Sequence, residues 1–150
     1  MRLSDILLEP GARVVKELCE KVGGDLRFLK QEEILVCRVN ISSPQQAYNL
    51  FEEVSDFIAR KYGFEKTGLG TEFSFWKDTS NGNIRGAIDV SERDRRNLKA
   101  LEISYDGDFI EITPISKRGR GCTLYLNKNT LGVYCEKNGC YASAEGSLWH

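Results

Sequence analysis

The apolar residues in the first half of the chain recur with a helical period in two segments. Residues 10 to 22 place apolar side chains at intervals of three and four, begin with a proline suited to a first helical position, and stop before Gly23, which accepts a left-handed backbone. Residues 44 to 62 carry a second apolar stripe behind a Ser43 cap, with Gln46 completing a capping box. We therefore expect two amphipathic helices that each bury one face.

Alternation of apolar and polar residues replaces the helical period elsewhere. The segment DLRFLKQEEILVCRVNI, residues 25 to 41, predicts a hairpin of two strands around Gln31 and Glu32. From residue 71 the alternation continues, and short turns rich in Asn, Asp and Gly separate the strands. The predicted strands lie near 71 to 77, 83 to 91, 98 to 105, 108 to 115, 121 to 126, 131 to 136 and 140 to 144. Such even spacing is typical of an antiparallel meander.

One turn of this meander predicts the register between the two strands that it joins, near 98 to 105 and 108 to 115. An Asp-Gly turn at 106 to 107 places Ile103 opposite Ile110. It also places Leu101 opposite Ile112, so four aliphatic side chains share one face while the intervening glutamates face water. The helices can then cover the dry face of the sheet.

These patterns together predict an α+β fold. We expect two helices from the N-terminal half to pack on one face of a large, curved, mostly antiparallel β-sheet, with a meander in residues 71 to 144. A chain of 150 residues is long enough to bury a sizeable core without disulfide or metal cross-links. We therefore expect a single domain over residues 1 to 150.

Composition narrows the class of protein. The chain is 41% hydrophobic and 29% charged, with a formal net charge of −1, as in ordinary globular proteins. Such a charge argues against coating nucleic acid by bulk attraction, so a polyanionic partner requires a local basic patch.

No apolar run reaches the roughly 18 residues of a membrane span. The start MRLSDILLEPG has no basic leader or long apolar segment. We expect a soluble, cytoplasmic chain without a membrane partner.

The five cysteines do not form a recognisable metal-binding pattern. A zinc site would combine Cys122, Cys135 and Cys140 with a distant ligand such as Cys37 or His150, and no Cys-x-x-Cys pair is present. We therefore expect no metal and no cofactor. Reducing thiols disfavour structural disulfides in the cytosol, and an odd count leaves at least one thiol free.

The segment VYCEKNGCYAS raises a separate question about two of these thiols. A two-residue turn at Asn138 and Gly139 makes Cys135 and Cys140 diagonal neighbours, about 7 to 8 Å apart and just beyond the roughly 7 Å limit for bridging. A four-residue loop places them directly opposite and permits the bond. Cys122 and Cys135 share the parity of nearby leucines, so buried free thiols are the simpler interpretation.

The only histidine is the last residue, His150. Its position removes the usual base of Ser-His-Asp and Cys-His machinery, because no other side chain of that kind is present. Paired acids at 32 to 33, at 52 to 53, and at Asp106 with Asp108 are typical of a solvated surface. We therefore favour a protein that is not an enzyme.

Two basic loops form the pattern that points most directly to a function. The first lies in SERDRRNLK and the second in SKRGRG, and their cationic residues are Arg93, Arg95, Arg96, Lys99, Lys117, Arg118 and Arg120. Successive turns of a meander alternate between the two ends of a sheet, so both loops fall at one end, about 10 Å apart. Arginine donates parallel hydrogen bonds to phosphate, which suits this set to an extended anion. The competing interpretation is an ordinary set of solvated turns.

Three functions compete on these observations. The first is a non-enzymatic interaction domain that docks a polyanionic partner, nucleic acid or an acidic protein surface, through the basic loops. The second is a protein that binds a small apolar ligand in a cavity between helix 44 to 62 and the sheet, lined by Phe51, Phe73 and Phe75. The third is a histidine-independent enzyme. We favour the first, and the sequence leaves the oligomeric state open.

Overall fold

The structure, a computed structural model, describes the chain with gaps. The described residues are 2–62, 64–66, 72–79, 82–90, 96–117, 119–121, 123–126, 131–134 and 140–144. Side chains are described in 2–62, 96–117, 119–121 and 123–126.

The described residues contain three helices and eleven strands. The helices are α1 (Leu3–Ile6), α2 (Pro10–Val22) and α3 (Pro44–Tyr62). The strands are β1 (Asp25–Leu29), β2 (Ile34–Asn40), β3 (Phe64–Lys66), β4 (Glu72–Thr79), β5 (Gly82–Val90), β6 (Leu98–Tyr105), β7 (Ile110–Ser116), β8 (Gly119–Arg120), β9 (Thr123–Leu126), β10 (Leu131–Tyr134) and β11 (Cys140–Ala144).

Helix α2 confirms the prediction for residues 10 to 22. Its apolar stripe buries Ala12, Val15, Leu18 and Cys19. The helix ends at Gly23, whose φ of 70° is left-handed, a conformation that a residue without a Cβ adopts without strain. The next amide, that of Gly24, donates to the carbonyl of Cys19 at 2.9 Å and closes the helix end.

Helix α3 begins with the predicted cap, in a modified form. The hydroxyl of Ser43 accepts a hydrogen bond from the amide of Gln46 at 3.1 Å. The Gln46 side chain accepts in return from the amide of Ser42, at 2.8 Å, one residue before the expected partner. Leu50, Phe51 and Val54 lie on the buried stripe behind this cap.

The strands form two antiparallel sheets. The large sheet has the strand order β1-β2-β6-β7-β9-β10, with β8 paired to β7 outside this path. The smaller sheet has the order β11-β5-β4-β3. The predicted α+β class is confirmed, with the helices in the N-terminal half and a large antiparallel sheet that is not closed.

The strand order differs from an uninterrupted meander. Strand β6 pairs with β2 instead of β5, and β5 pairs with β11. The buried residues of β6 explain this choice, since Leu101 lies opposite Val39 and Ile103 opposite Cys37. The new strand thereby extends the dry face of the first hairpin, which a β5 partner would leave at an edge.

The predicted register between β6 and β7 is wrong by two residues. Ile103 lies opposite Ile112, and Tyr105 lies opposite Ile110. The loop has four residues, because the Asp106 carboxylate accepts hydrogen bonds from the amides of Asp108 and Phe109, both at 2.9 Å. A register shift of two residues leaves every side chain on the same face of the sheet, so the predicted apolar face is unchanged.

A buried disulfide joins the helical layer to the large sheet. Cys19 on α2 is bonded to Cys37 on β2, with their Cα atoms 5.7 Å apart. Gly24 lies directly against the bond, since a Cβ there would come within 2.5 Å of the Cys37 sulfur and 2.9 Å of the Cys19 sulfur. The sequence did not predict this bond, because its partners meet only when helix and strand pack together.

The described strands on either side of Asn138 and Gly139 pair with other partners, and residues 135–139 lie outside the described residues. Strand β10 pairs with β9 in the large sheet, whereas β11 pairs with β5 in the smaller sheet. Cys140 consequently lies opposite Val90. Cys122 and Cys135 lie outside the described residues, so burial of these two thiols in the core stays a prediction.

Candidate functional site

The described parts of the two basic loops lie side by side. Leu98 at the start of β6 pairs with Ser116 at the end of β7, and the amide of Lys117 donates to the carbonyl of Asn97 at 3.0 Å. The ladder places these parts one strand spacing apart, about 5 Å. The expected separation of about 10 Å between the whole loops stays a prediction, because residues 91–95 and 118 lie outside the described residues.

Lys99 projects from an irregular position in β6. The register of the β6–β7 ladder shifts between Leu98 and Ala100, and both of these neighbours are buried. Lys99 itself is exposed, while its carbonyl accepts from the amide of Ile41 at 2.8 Å. Its backbone is thus fixed in the sheet and its ammonium group reaches solvent, as is typical of a bulge that redirects a side chain.

The other predicted cations divide into two sets. Arg96 and Lys117 are exposed and lie on either side of the Lys117–Asn97 backbone bond. Arg93, Arg95 and Arg118 lie outside the described residues, so their part in the site stays a prediction.

Arg120 is held by an acid that the sequence analysis assigned to the wet face. Its guanidinium donates to Glu102 at 2.5 Å, and Arg38 donates to the other oxygen of the same carboxylate at 3.0 Å. The Glu102 side chain is 19% exposed, so this three-residue group is partly shielded from solvent. One carboxylate therefore offsets half of the positive charge that the two arginines bring to this end of the sheet.

The sequence missed this group because its members meet through the sheet. Arg38 lies opposite Glu102 only because β2 pairs with β6, and Arg120 returns to the sheet through β8. The alternation of β6 correctly predicted that Glu102 faces solvent. It did not predict which side chains lie beside Glu102 on that face.

The residues proposed to line an apolar cavity lie on two elements. Phe51 on α3 is fully buried within the core. Phe73 and Phe75 lie on β4, opposite Ile88 and Gly86, and their side chains are outside the described residues. The ligand cavity stays a prediction.

A second feature, which the sequence did not reveal, lies on the solvent face of β7 and β9. A groove of about 340 Å³ is lined by Phe109, Glu111, Thr123 and Tyr125, a set that we call the aromatic corner. The Phe109 and Tyr125 rings meet edge to face, with centroids 5.5 Å apart and planes at 85°. The hydroxyl groups of Thr123 and Thr113 form a hydrogen bond of 2.7 Å.

Glu111 sits in this corner under unusual conditions for a surface carboxylate. Partial burial raises the pKa of Glu111, the Asp106 carboxylate raises this pKa further, and Arg120 lowers it. Within the part of the chain that the structure describes, no side chain or amide pairs with the Glu111 carboxylate. The charged form is therefore incompletely compensated.

The described residues contain no cluster of three or more His, Cys, Asp or Glu residues arranged to hold a metal ion. None of the helices in the described segments combines the length and apolar character needed to cross a bilayer. The described side chains do not include the three main ligands considered for a zinc site, Cys122, Cys135 and Cys140.

The comparisons with known proteins add no relationship to this geometry. No family model, curated protein or solved structure matches the chain.

Proposed function

We propose that this chain is a non-enzymatic interaction domain that docks a polyanionic partner, nucleic acid or an acidic protein surface, through its two basic loops. The observation that carries the proposal is the backbone bond from Lys117 to Asn97, at 3.0 Å. It joins the two loops directly, so their cations act on one surface instead of two. Exposed Arg96, Lys99 and Lys117 supply the charge in the described part of that surface.

The pairing of Arg120 with Glu102 adds a second feature to the proposal. An arginine held by a carboxylate loses part of its attraction for phosphate, and its guanidinium is held in one position by the bond at 2.5 Å. Arg120 therefore contributes less to affinity than the exposed lysines do. Removing the Glu102 charge should strengthen anion binding by releasing both of its arginine partners.

Binding to labelled oligonucleotides, followed by fluorescence anisotropy over a range of salt concentrations, tests the proposal. Each phosphate contact contributes about 0.7 to the logarithmic salt slope with a single strand. The Lys99→Ala, Lys117→Ala double variant should therefore lose about 1.4 from that slope. A matched control, Lys16→Ala with Lys30→Ala, removes the same charge from α2 and from the β1–β2 turn and should leave the slope unchanged.

Two further measurements sharpen the result. Glu102→Gln should raise the affinity, whereas Glu53→Gln, an equal charge change on the exposed side of α3, should not. A polyglutamate peptide replaces the oligonucleotide to test for an acidic protein partner. The proposal is wrong if neither polyanion binds at low salt, or if the double variant binds as its control does.

A further inference from the structure

The aromatic corner combines two features that a solvent-facing sheet seldom brings together. Its floor consists of two rings at nearly right angles, and its wall carries a half-buried carboxylate, Glu111, that no described residue pairs. Burial of a charge without a partner is costly. A ligand that brings a positive charge to this position recovers part of that cost.

The fixed geometry of the corner favours binding over simple solvation. Phe109 follows a turn whose amides are tied to the Asp106 carboxylate, at 2.9 Å, and Tyr125 lies opposite Glu111 in the β7–β9 ladder. The backbone that carries each ring is therefore held in place, and the two rings contact each other edge to face. A binding partner consequently has less of this surface to order.

The charges around Glu111 also favour a cation. Asp106 adds negative potential and Arg120 opposes it. The Arg120 guanidinium, however, is already bonded to Glu102. The corner thus keeps an acid within reach of solvent and two aromatic faces beside it.

We propose that the aromatic corner receives an arginine side chain from a protein partner. A guanidinium stacks flat on a tyrosine ring and donates parallel hydrogen bonds to a carboxylate, so Tyr125 and Glu111 match its two modes of recognition. Lysine has the charge but lacks the planar face and the paired donors. Its lining residues differ from those of the basic loops, although Arg120 of the second loop acts on Glu111, and its occupant has the opposite charge.

The alternative occupant is an unpaired nucleobase stacked on Tyr125. Its phosphates would bring negative charge toward Glu111 and Asp106, which the local electrostatics oppose. The arginine proposal is therefore the better match to the described charges.

Anisotropy of fluorescein-labelled hexa-arginine, hexa-lysine and hexa-glutamate peptides tests the proposal. The parent protein should bind hexa-arginine more tightly than hexa-lysine and should not bind hexa-glutamate through this corner. Tyr125→Leu and Glu111→Gln should each weaken hexa-arginine binding about fivefold. Tyr125→Phe keeps the ring and should retain most of the affinity.

Controls separate the corner from bulk attraction. Glu53→Gln removes one acid elsewhere and should leave the arginine preference intact. Circular dichroism checks that each variant is folded, and Glu111→Gln carries the test if Tyr125→Leu is not. The proposal is overturned if the parent shows no preference for arginine, or if Glu111→Gln and Glu53→Gln bind alike. It is also overturned if the Tyr125 and Glu111 variants lose oligonucleotide binding instead, since the corner then holds a base.

Discussion

The Cys19–Cys37 disulfide should supply a large share of the stability of this fold. It links residues 18 apart in sequence and lies between α2 and β2. Closing a loop of that length lowers the entropy of the unfolded chain enough to stabilise the native state by about 3 kcal/mol. With a urea dependence of about 1 to 3 kcal/mol per molar, the bond should raise the midpoint of unfolding by roughly 1 to 3 M.

The experiment compares urea unfolding of the oxidised and the reduced parent by circular dichroism. Reduction removes the cross-link but keeps both sulfur atoms in the core, so the difference isolates the constraint on the unfolded chain. The Cys19→Ala, Cys37→Ala variant provides the control. Its stability should not respond to reductant, unless another pair among the remaining cysteines is also bonded.

Alkylation of the denatured, unreduced protein followed by mass spectrometry gives an independent check. Cys19 and Cys37 should escape modification without reductant and become modified after it. Modification of both thiols before reduction, or equal midpoints for oxidised and reduced protein, would refute the reasoning. The bond also weakens the basis of the cytoplasmic prediction, because structural disulfides are rare in reducing compartments.

Three further predictions concern packing and ionisation. Leu50→Ala should destabilise the fold by about 2 to 5 kcal/mol, since Leu50 is only 5% exposed, and Glu53→Ala at an exposed position of α3 should change the free energy of unfolding by less than about 0.5 kcal/mol. Gly24→Ala should destabilise the oxidised protein because the new methyl group meets both sulfurs of the disulfide; equal stability would show that the bond lies elsewhere. Burial raises the pKa of Tyr62 to about 12, and burial with the Glu9 hydrogen bond raises that of Tyr105 further. The neutral phenols therefore stabilise the fold fully below pH 10, and this contribution falls as the pH rises through their raised pKa values. Absorbance titration of the phenolates, with Tyr105→Phe for assignment, checks this: a Tyr105 that titrates at its ordinary pKa would contradict the described contacts.

The elements that the sequence predicted well are those with local signals. The limits of α2 and α3 matched because a proline, a serine cap and a left-handed glycine act within one turn of the helix. The β1–β2 hairpin matched for the same reason. Each of these signals is complete within a few residues, so no knowledge of the tertiary fold is needed to interpret it.

The elements that the sequence missed depend on distant partners. The pairing of β2 with β6 joins residues 60 to 70 positions apart in sequence, and alternation alone does not determine which strands are neighbours. The loop between β6 and β7 was predicted with two residues and has four, because the bonds to Asp106 are made by amides within the turn. The Glu102 group follows from the same strand order, whereas the disulfide follows from the packing of α2 against β2.

The two proposed sites lie at different positions along the same strands, and Arg120 links them, because it belongs to the second basic loop and lowers the pKa of Glu111. Lys99 is near the start of β6, and Glu111 lies opposite Ser104 near its end, so five residues of extended chain separate the two backbone positions by about 17 Å. This distance is about twice the Debye length of about 8 Å at physiological salt. A cation at the aromatic corner is therefore largely screened from Lys99, whereas Arg120 acts directly on Glu111. The net charge of −1 describes neither site, because it sums over the charges of the whole chain.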